Sequence, residues 1–110
     1  MMENEKEKTE LRHIKISAII NASDEHEPDI KNEQVVGLEP LRGQELENGE
    51  YYFIKYQGKK MIRKIYFAEN GLMLIRVNPK YPSEYYEFTE DKGKQLVVLA
   101  KINIHYKFNK

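Results

Sequence analysis

The sequence contains no cysteine. The chain can therefore form neither a disulfide nor a thiolate metal site, and it offers no thiol nucleophile. It also begins without an apolar leader and has no run near the ~18 apolar residues of a membrane span. We expect a cytoplasmic protein that holds no metal and no cofactor and does not associate with a membrane.

An excess of charge of either sign is also missing, because Lys+Arg and Asp+Glu both number 18. Non-specific binding to nucleic acid depends on neutralising phosphates, so a zero net charge argues against a direct nucleic-acid partner. The length of 110 residues is typical of one domain. We predict a disordered tail over residues 1–11, which are polar and aperiodic, and a single domain over residues 12–110.

Helical periodicity of convincing length is absent, whereas short segments with period-two alternation recur between Gly, Pro and Asn turns. The sequence therefore predicts a mostly β fold. Between residues 51 and 77 the pattern indicates consecutive hairpins, and we expect a type I′ turn at Asn70-Gly71. The predicted strands are Arg12–Ile20, Gln34–Val36, Tyr51–Tyr56, Lys60–Phe67, Leu72–Val77, Ser83–Phe88 and Gln95–Phe108.

The long C-terminal strand, predicted over residues 95–108, is apolar on both faces in its front half. Strict alternation places one apolar series, from Leu96 to Phe108, on a single face. The other face must then be covered as well, and a second subunit is one candidate. We expect a homodimer whose interface uses the residues of this second face. They are Val97, Leu99, Lys101 and Asn103.

Arg63 is the unusual residue of the middle strand of the hairpin region. Alternation places it on the same face as Met61, Ile65 and Phe67, all apolar. An unpaired guanidinium is costly to bury. Arg63 therefore needs an acidic partner, or it must extend its charged end to solvent along its apolar stem.

Other polar residues give no recognisable reactive arrangement. The histidines lie in different segments without ligand spacing, and we expect ordinary surface residues. They are His13, His26 and His105. The acidic loop near residue 25 lacks the glycine and the terminal glutamate of a calcium loop, so we expect it to be solvated. Its acids are Asp24, Glu25, Glu27 and Asp29.

The hairpin region also carries a series of motifs. Gly49-Glu50-Tyr51 and Tyr56-Gln57-Gly58 match the two ends of a strand of the form G-x-Y-x-V-x-Y-x-G, and residues 78–82, NPKYP, match the end of L-x-L-x-S-D-N-P-x-Y-P. In the segment G-D-S-M-x-P-T-I-x-x-G-D-x-V, the part from the first aspartate onward aligns without a gap with residues 24–36. In these motifs the chain resembles the LexA-type family of Ser–Lys self-cleaving domains, which includes LexA, UmuD and phage repressors. The resemblance covers residues 12–108. It implies a signal-peptidase-like fold of several coiled antiparallel sheets with a small SH3-like barrel.

The chain departs from this family where the family's chemistry resides. Glu25 stands at the position of the nucleophilic serine, and Arg63 stands at the position of the lysine base. The mechanism needs a neutral amine to generate an alkoxide, and arginine stays protonated at usable pH. The resemblance therefore implies a domain that is not an enzyme and that keeps a relict cleft. The relict cleft comprises Asp24, Glu25, His26, Pro28 and Arg63.

The two replaced positions are hydrogen-bonded neighbours in the family. We therefore expect Glu25 and Arg63 to form an ion pair, which would give Arg63 the acidic partner it needs. Lys64 follows directly in the chain, but a shift of one residue places its side chain on the opposite face of the strand.

The leading interpretation is a non-catalytic dimerisation or protein-interaction module with a protein or peptide partner, in a bacterial or phage circuit of the SOS or repressor kind. About eleven residues precede the first predicted strand, so we expect no DNA-binding domain, as in UmuD. Two alternatives stay open. One is an active self-cleaving serine protease that uses Ser23. The other is a small β-barrel that binds single-stranded nucleic acid by stacking bases on tyrosines. These tyrosines are Tyr51, Tyr52, Tyr56 and Tyr66.

Overall fold

The computed structural model describes residues 18–41, 43, 46–88 and 95–107. The predicted tail over residues 1–11 and most of the predicted first strand lie outside the described residues. The described part is built from strands and contains no helix, so the predicted mostly β class is confirmed. The strands are β1 (Ala18–Asn21), β2 (Gln34–Glu39), β3 (Glu50–Tyr56), β4 (Lys59–Ala68), β5 (Gly71–Ile75), β6 (Glu84–Glu87) and β7 (Leu96–Asn103).

All seven strands belong to one sheet with the order β1-β2-β7-β3-β4-β5-β6. Every neighbouring pair is antiparallel. The expected division into several sheets with a small SH3-like barrel is not seen among the described residues, because the hydrogen-bonded ladders run continuously from β1 to β6 and do not close. The predicted hairpins over residues 51–77 are confirmed as β3–β4 and β4–β5.

Alternation along β3 divides the apolar side chains between the two faces of the sheet. Tyr52, Ile54 and Tyr56 belong to one buried cluster, whereas Tyr51 and Phe53 belong to another. The first cluster continues into Ile65, Leu72 and Leu74. The second cluster continues into Ile30, Val36, Ile62 and Ile102. The sheet is therefore covered by apolar packing on both faces around its central strands.

A register shift divides β7 into two halves, and odd-numbered residues face one side of the sheet in the first half and the other side in the second. Phe53 pairs with Ala100 but Ile54 pairs with Val98, so β7 holds one extra residue at this point. An inserted residue of this kind, a β-bulge, reverses the alternation beyond it. Leu96 and Val98 accordingly pack with the first cluster, whereas Ile102 and Ile104 pack with the second. The prediction of one apolar face from Leu96 to Phe108 is wrong for this reason.

The predicted dimer face is divided by the same bulge. Val97 lies opposite Lys55, whereas Lys101 lies opposite Tyr52, and these two β3 positions face opposite sides of the sheet. Asn103 shares the side of Lys101 by alternation. The strand also ends at Asn103 rather than continuing to residue 108. Val97 therefore cannot form one face with Lys101 and Asn103, and Leu99 lies at the bulge between them.

The turn between β4 and β5 lies one residue earlier than predicted. Ala68 pairs with Gly71, so Glu69 and Asn70 form the turn, and Asn70 has a φ of 62°. Gly71 is instead the first residue of β5, and a Cβ there would collide with the carbonyl oxygen of Tyr86 on β6. The glycine is needed for close approach of the backbones.

Candidate functional site

The candidate site forms where a loop covers a free edge of β4. The loop, residues 22–33, connects β1 with β2. Because β5 pairs only with Lys64–Ala68, the preceding residues of β4 have no strand neighbour on that side among the described residues. There the Ile62 carbonyl accepts hydrogen bonds from His26 Nε2 and from Arg63 Nη1, each at 2.7 Å. Side chains thus replace the missing strand and fasten the loop to the sheet.

The predicted ion pair between Glu25 and Arg63 is present. Arg63 Nη1 lies 3.4 Å from Glu25 Oε2, and the Arg63 side chain is only 3% exposed. Burial lowers the pKa of Arg63, and the Glu25 charge opposes that shift. The pair accounts for a guanidinium on an otherwise apolar face, because the loop brings a carboxylate to it.

Two further charges, missed by sequence reasoning, complete the site. Arg76 Nε lies 3.2 Å from Glu25 Oε1, and Arg63 Nε lies 3.5 Å from Glu84 Oε1. Arg76 follows β5 directly and Glu84 begins β6, so the sheet itself brings both residues beside Arg63. The site is therefore a network of two arginines and two glutamates rather than one isolated pair.

The segment Asn78–Pro82 holds the start of the loop in place by hydrogen bonds and one ion pair. The Asn78 backbone amide donates to the Glu25 carbonyl and the Asn78 side chain donates to the Asp24 carbonyl, both at 2.9 Å. The Tyr81 hydroxyl donates to the Asp24 carboxylate, and Lys80 Nζ lies 3.4 Å from it. The Tyr81 hydrogen bond lowers the pKa of Asp24 and raises that of Tyr81. A motif identified in the sequence as the end of a hairpin therefore also fixes the loop that carries Glu25.

His26 is completely buried, so its assignment as an ordinary surface histidine is wrong. Its Nε2 faces a carbonyl, which only accepts, so the proton resides on Nε2 in the neutral ring. Nδ1 is buried and has no hydrogen-bond partner among the described residues, and the ring packs edge-on against Tyr51 at a centroid distance of 5.4 Å. Burial lowers the pKa of His26 despite the carboxylate of Glu25 at 3.6 Å. His105 is exposed as predicted, and His13 lies outside the described residues.

The acidic loop is fastened to the sheet and not simply solvated as expected. Asp29 accepts a hydrogen bond from the Tyr51 hydroxyl at 2.9 Å and lies 3.5 Å from Lys64 Nζ. Burial, with the Asp29 hydrogen bond second, raises the pKa of Tyr51. Lys64 therefore points away from Arg63, as predicted, and does not replace a lysine base at position 63. Glu27 accepts from the Asn32 amide at 3.1 Å.

Of the five residues of the relict cleft, the structure brings three together: Glu25, His26 and Arg63. Asp24 turns instead toward Lys80 and Tyr81, and Pro28 is exposed. Beside Glu25 lies a cavity of about 210 Å³, with residues 19–23 on one wall and residues 60–62 on the other. The sheet thus bends until its terminal strand β1 approaches β4 across this cavity.

The remaining alternatives can be compared with the same geometry. The Ser23 hydroxyl accepts from the Glu25 amide at 3.0 Å, so its contact in the described part of the chain is a local turn and not a lysine amine. Tyr51, Tyr52 and Tyr56 are at most 5% exposed, and only Tyr66 is available on the surface. The nucleic-acid alternative requires bases to stack on all four tyrosines. It is therefore wrong for the three buried ones, Tyr51, Tyr52 and Tyr56.

The described part of the chain comprises residues 18–41, 43, 46–88 and 95–107. In that part of the chain no group of three His, Asp or Glu residues could hold a metal ion. The same residues include no helix that is long and apolar enough to cross a membrane.

Comparison with known proteins adds one finding to this geometry. The sequence model of the Peptidase S24-like family matches residues 12–102. The matched region includes every strand of the sheet except the last residue of β7, and it contains both Glu25 and Arg63. A search of the curated proteins found no match.

Proposed function

The chain belongs to the Peptidase S24-like family, and from that premise we propose that it is a member without peptidase activity. Its role is that of a dimerisation or protein-interaction module in the cytoplasm, within a bacterial or phage regulatory circuit of the repressor or SOS kind. The observation that carries the proposal is the ion pair between Glu25 and Arg63 at 3.4 Å. These are the two positions at which the family resemblance expects a nucleophilic serine and its lysine base.

The chemistry of the pair supports this loss of activity. A serine alkoxide needs a neighbouring base that can be neutral, and a guanidinium keeps its proton at all physiological pH values. Burial lowers the pKa of Arg63, but the carboxylates of Glu25 and Glu84 oppose the shift. The Glu25 carboxylate is in turn held between two cations, Arg63 and Arg76, which stabilise its charge and make it a poorer nucleophile.

The front half of β7 supports a dimerisation role. Among the described residues β2 pairs only with Lys101–Asn103, so the stretch from Leu96 to Ala100 has β3 on one side and no strand on the other. Val97 and Leu99 are 43% and 39% exposed there. A free edge with apolar side chains favours pairing with another strand. The same stretch of a second copy would supply a partner of equal length.

The cavity beside Glu25 supports a second mode of interaction. In the part of the chain that the structure describes, β1 is a terminal strand of the sheet, and β4 is unpaired on this side before Lys64. The cavity therefore lies between two strand edges. An extended segment of a partner protein could add its backbone to either edge, as in β-strand addition.

The loss of activity is tested by incubating the purified chain between pH 7 and pH 10 and measuring its intact mass. We expect one unchanged mass. A defined fragment that disappears in a Ser23→Ala variant would establish the protease alternative and overturn the proposal.

Dimerisation is tested by sedimentation over a concentration series. We expect a dimer that Leu99→Glu dissociates. Phe67→Glu is the matched control, because Phe67 is 53% exposed on β4, at a distance from the front half of β7 in the strand order. A monomeric wild type at high concentration, or equal effects of the two variants, would contradict the interface at β7.

A further inference from the structure

Two arginines stand opposite each other at the end of the β4–β5 ladder. Lys64 pairs with Ile75, so continuing the same register by one residue sets Arg63 against Arg76. Like charges directly opposite each other on antiparallel strands destabilise the pair. The Coulomb effect of Arg76 contributes to the lowered pKa of Arg63. The end of this ladder therefore needs an anion between the two guanidinium groups.

The anion present is the side chain of Glu25. Its two oxygens are shared between the two cations, with Oε2 3.4 Å from Arg63 and Oε1 3.2 Å from Arg76. The arginines are positioned by the sheet, whereas Glu25 arrives from the loop between β1 and β2. The cationic half of the site is therefore built independently of the residue that occupies it.

Burial makes this site selective for negative charge. Arg63 is 3% exposed and Arg76 is 22% exposed, so water compensates their charges poorly. Glu84 neutralises part of the charge through its contact with Arg63 Nε at 3.5 Å. Without Glu25 the remaining charges are two cations and one carboxylate, which leaves one positive charge.

We propose that Arg63 and Arg76 form a carboxylate-binding site, which the chain's own Glu25 occupies. Guanidinium groups suit planar carboxylates in both geometry and charge. The ligand class is a small monocarboxylate. In the wild type the site is occupied by the side-chain carboxylate of Glu25, which belongs to the same ligand class. Glu25 also lines the adjoining cavity.

The test uses Glu25→Ala in the full chain. This change removes a methylene and a carboxylate, the heavy atoms of one acetate ion, and leaves the space beside the cavity. Stability is measured by urea unfolding in sodium acetate and in sodium chloride of equal ionic strength. At acetate ten times its dissociation constant, the ratio of folded to unfolded chain should rise roughly 11-fold relative to chloride. The wild type should not respond, because Glu25 fills the site.

Two controls and a second measurement make the result decisive. Acetamide has the shape of acetate without its charge and should not stabilise the variant. Glu25→Ala combined with Arg76→Met should lose the acetate response, whatever its own stability. If Glu25→Ala alone does not fold, acetate should restore its β-sheet circular dichroism. Equal effects of acetate and chloride on Glu25→Ala, or an acetate response that persists without Arg76, would overturn the proposal.

Discussion

Neutralising Glu25 should destabilise the fold because it leaves a buried cation without its main partner. In Glu25→Gln, Arg63 remains 3% exposed and keeps its hydrogen bond to the Ile62 carbonyl, but among the described residues its one remaining carboxylate contact is Glu84 at 3.5 Å. Breaking a buried ion pair from one side costs about 3–5 kcal/mol. Since Glu25 is itself 20% exposed and Glu84 remains, we expect the lower end of this range, about 3 kcal/mol.

A double-mutant cycle isolates the interaction of the pair. Arg63→Met keeps most of the apolar stem and removes the charge, and Glu25 then still has Arg76 at 3.2 Å. The coupling free energy is the difference between the double variant and the sum of the single variants, obtained from urea unfolding. We expect at least about 1 kcal/mol of coupling, within the range for residues in contact.

The exposed pair of Lys101 and Glu47 provides the matched control. Its two charged atoms are closer, at 2.6 Å, but the side chains are 27% and 64% exposed. Pairs of this kind contribute about 0.2–1 kcal/mol and weaken in salt. The coupling between Glu25 and Arg63, which are farther apart but more buried, should therefore be larger. It should also persist in 1 M salt, where the Debye screening length is about 3 Å. A coupling below about 0.5 kcal/mol for Glu25 and Arg63, or its loss in salt, would refute the reasoning.

Three further predictions concern groups around this pair. The free energy of unfolding should fall as pH decreases from about 6.5 toward the lowered pKa of His26, because His26 takes up a proton in the unfolded chain before it does so in the folded chain. In urea unfolding, His26→Gln should remove this part of the pH dependence, and His105→Gln should not. Tyr81→Phe should raise the pKa of Asp24, measured by carboxyl NMR titration, because its largest stabilising hydrogen bond is lost. Gly71→Ala should destabilise the fold by about 1–3 kcal/mol in chemical unfolding, because a Cβ there meets a backbone carbonyl of the edge strand.

Features determined by local chemistry could be predicted from the sequence. The strands β3, β4 and β5 agree with the predicted segments to within one or two residues, because alternation and turn residues act over short distances. Family resemblance correctly paired Glu25 with Arg63 across 38 positions of sequence. No local pattern in this chain connects those two residues.

The bulge in β7 had no such signal. In the sequence every second residue from Leu96 to Phe108 is apolar without interruption, and the inserted residue becomes evident only from pairing with β3. His26 was missed for a similar reason. Its burial depends on a carbonyl of β4 that has no strand partner in the described part of the chain, and this is a property of the sheet edge.

The missed role of Arg76 follows from a small error in the hairpin. A turn centred on Asn70-Gly71 would set Arg63 opposite Asn78. The observed turn lies one residue earlier and moves the register by two, so Arg63 faces Arg76. Such a change keeps every side chain on its predicted face, so the hydrophobic pattern cannot detect it.

The contacts that hold the loop between β1 and β2 explain how this fold can accommodate different side chains at position 25. Asn78 binds the backbone carbonyls of Asp24 and Glu25, and these hydrogen bonds do not depend on the side chain at position 25. His26 is likewise fixed to a backbone atom of β4. The position of the loop is therefore determined by its main chain and by its neighbours of position 25. A carboxylate at that position needs only a cation within reach, and the register of β4 with β5 supplies two. The position of the loop and the identity of the side chain at position 25 are thus physically separable in this fold.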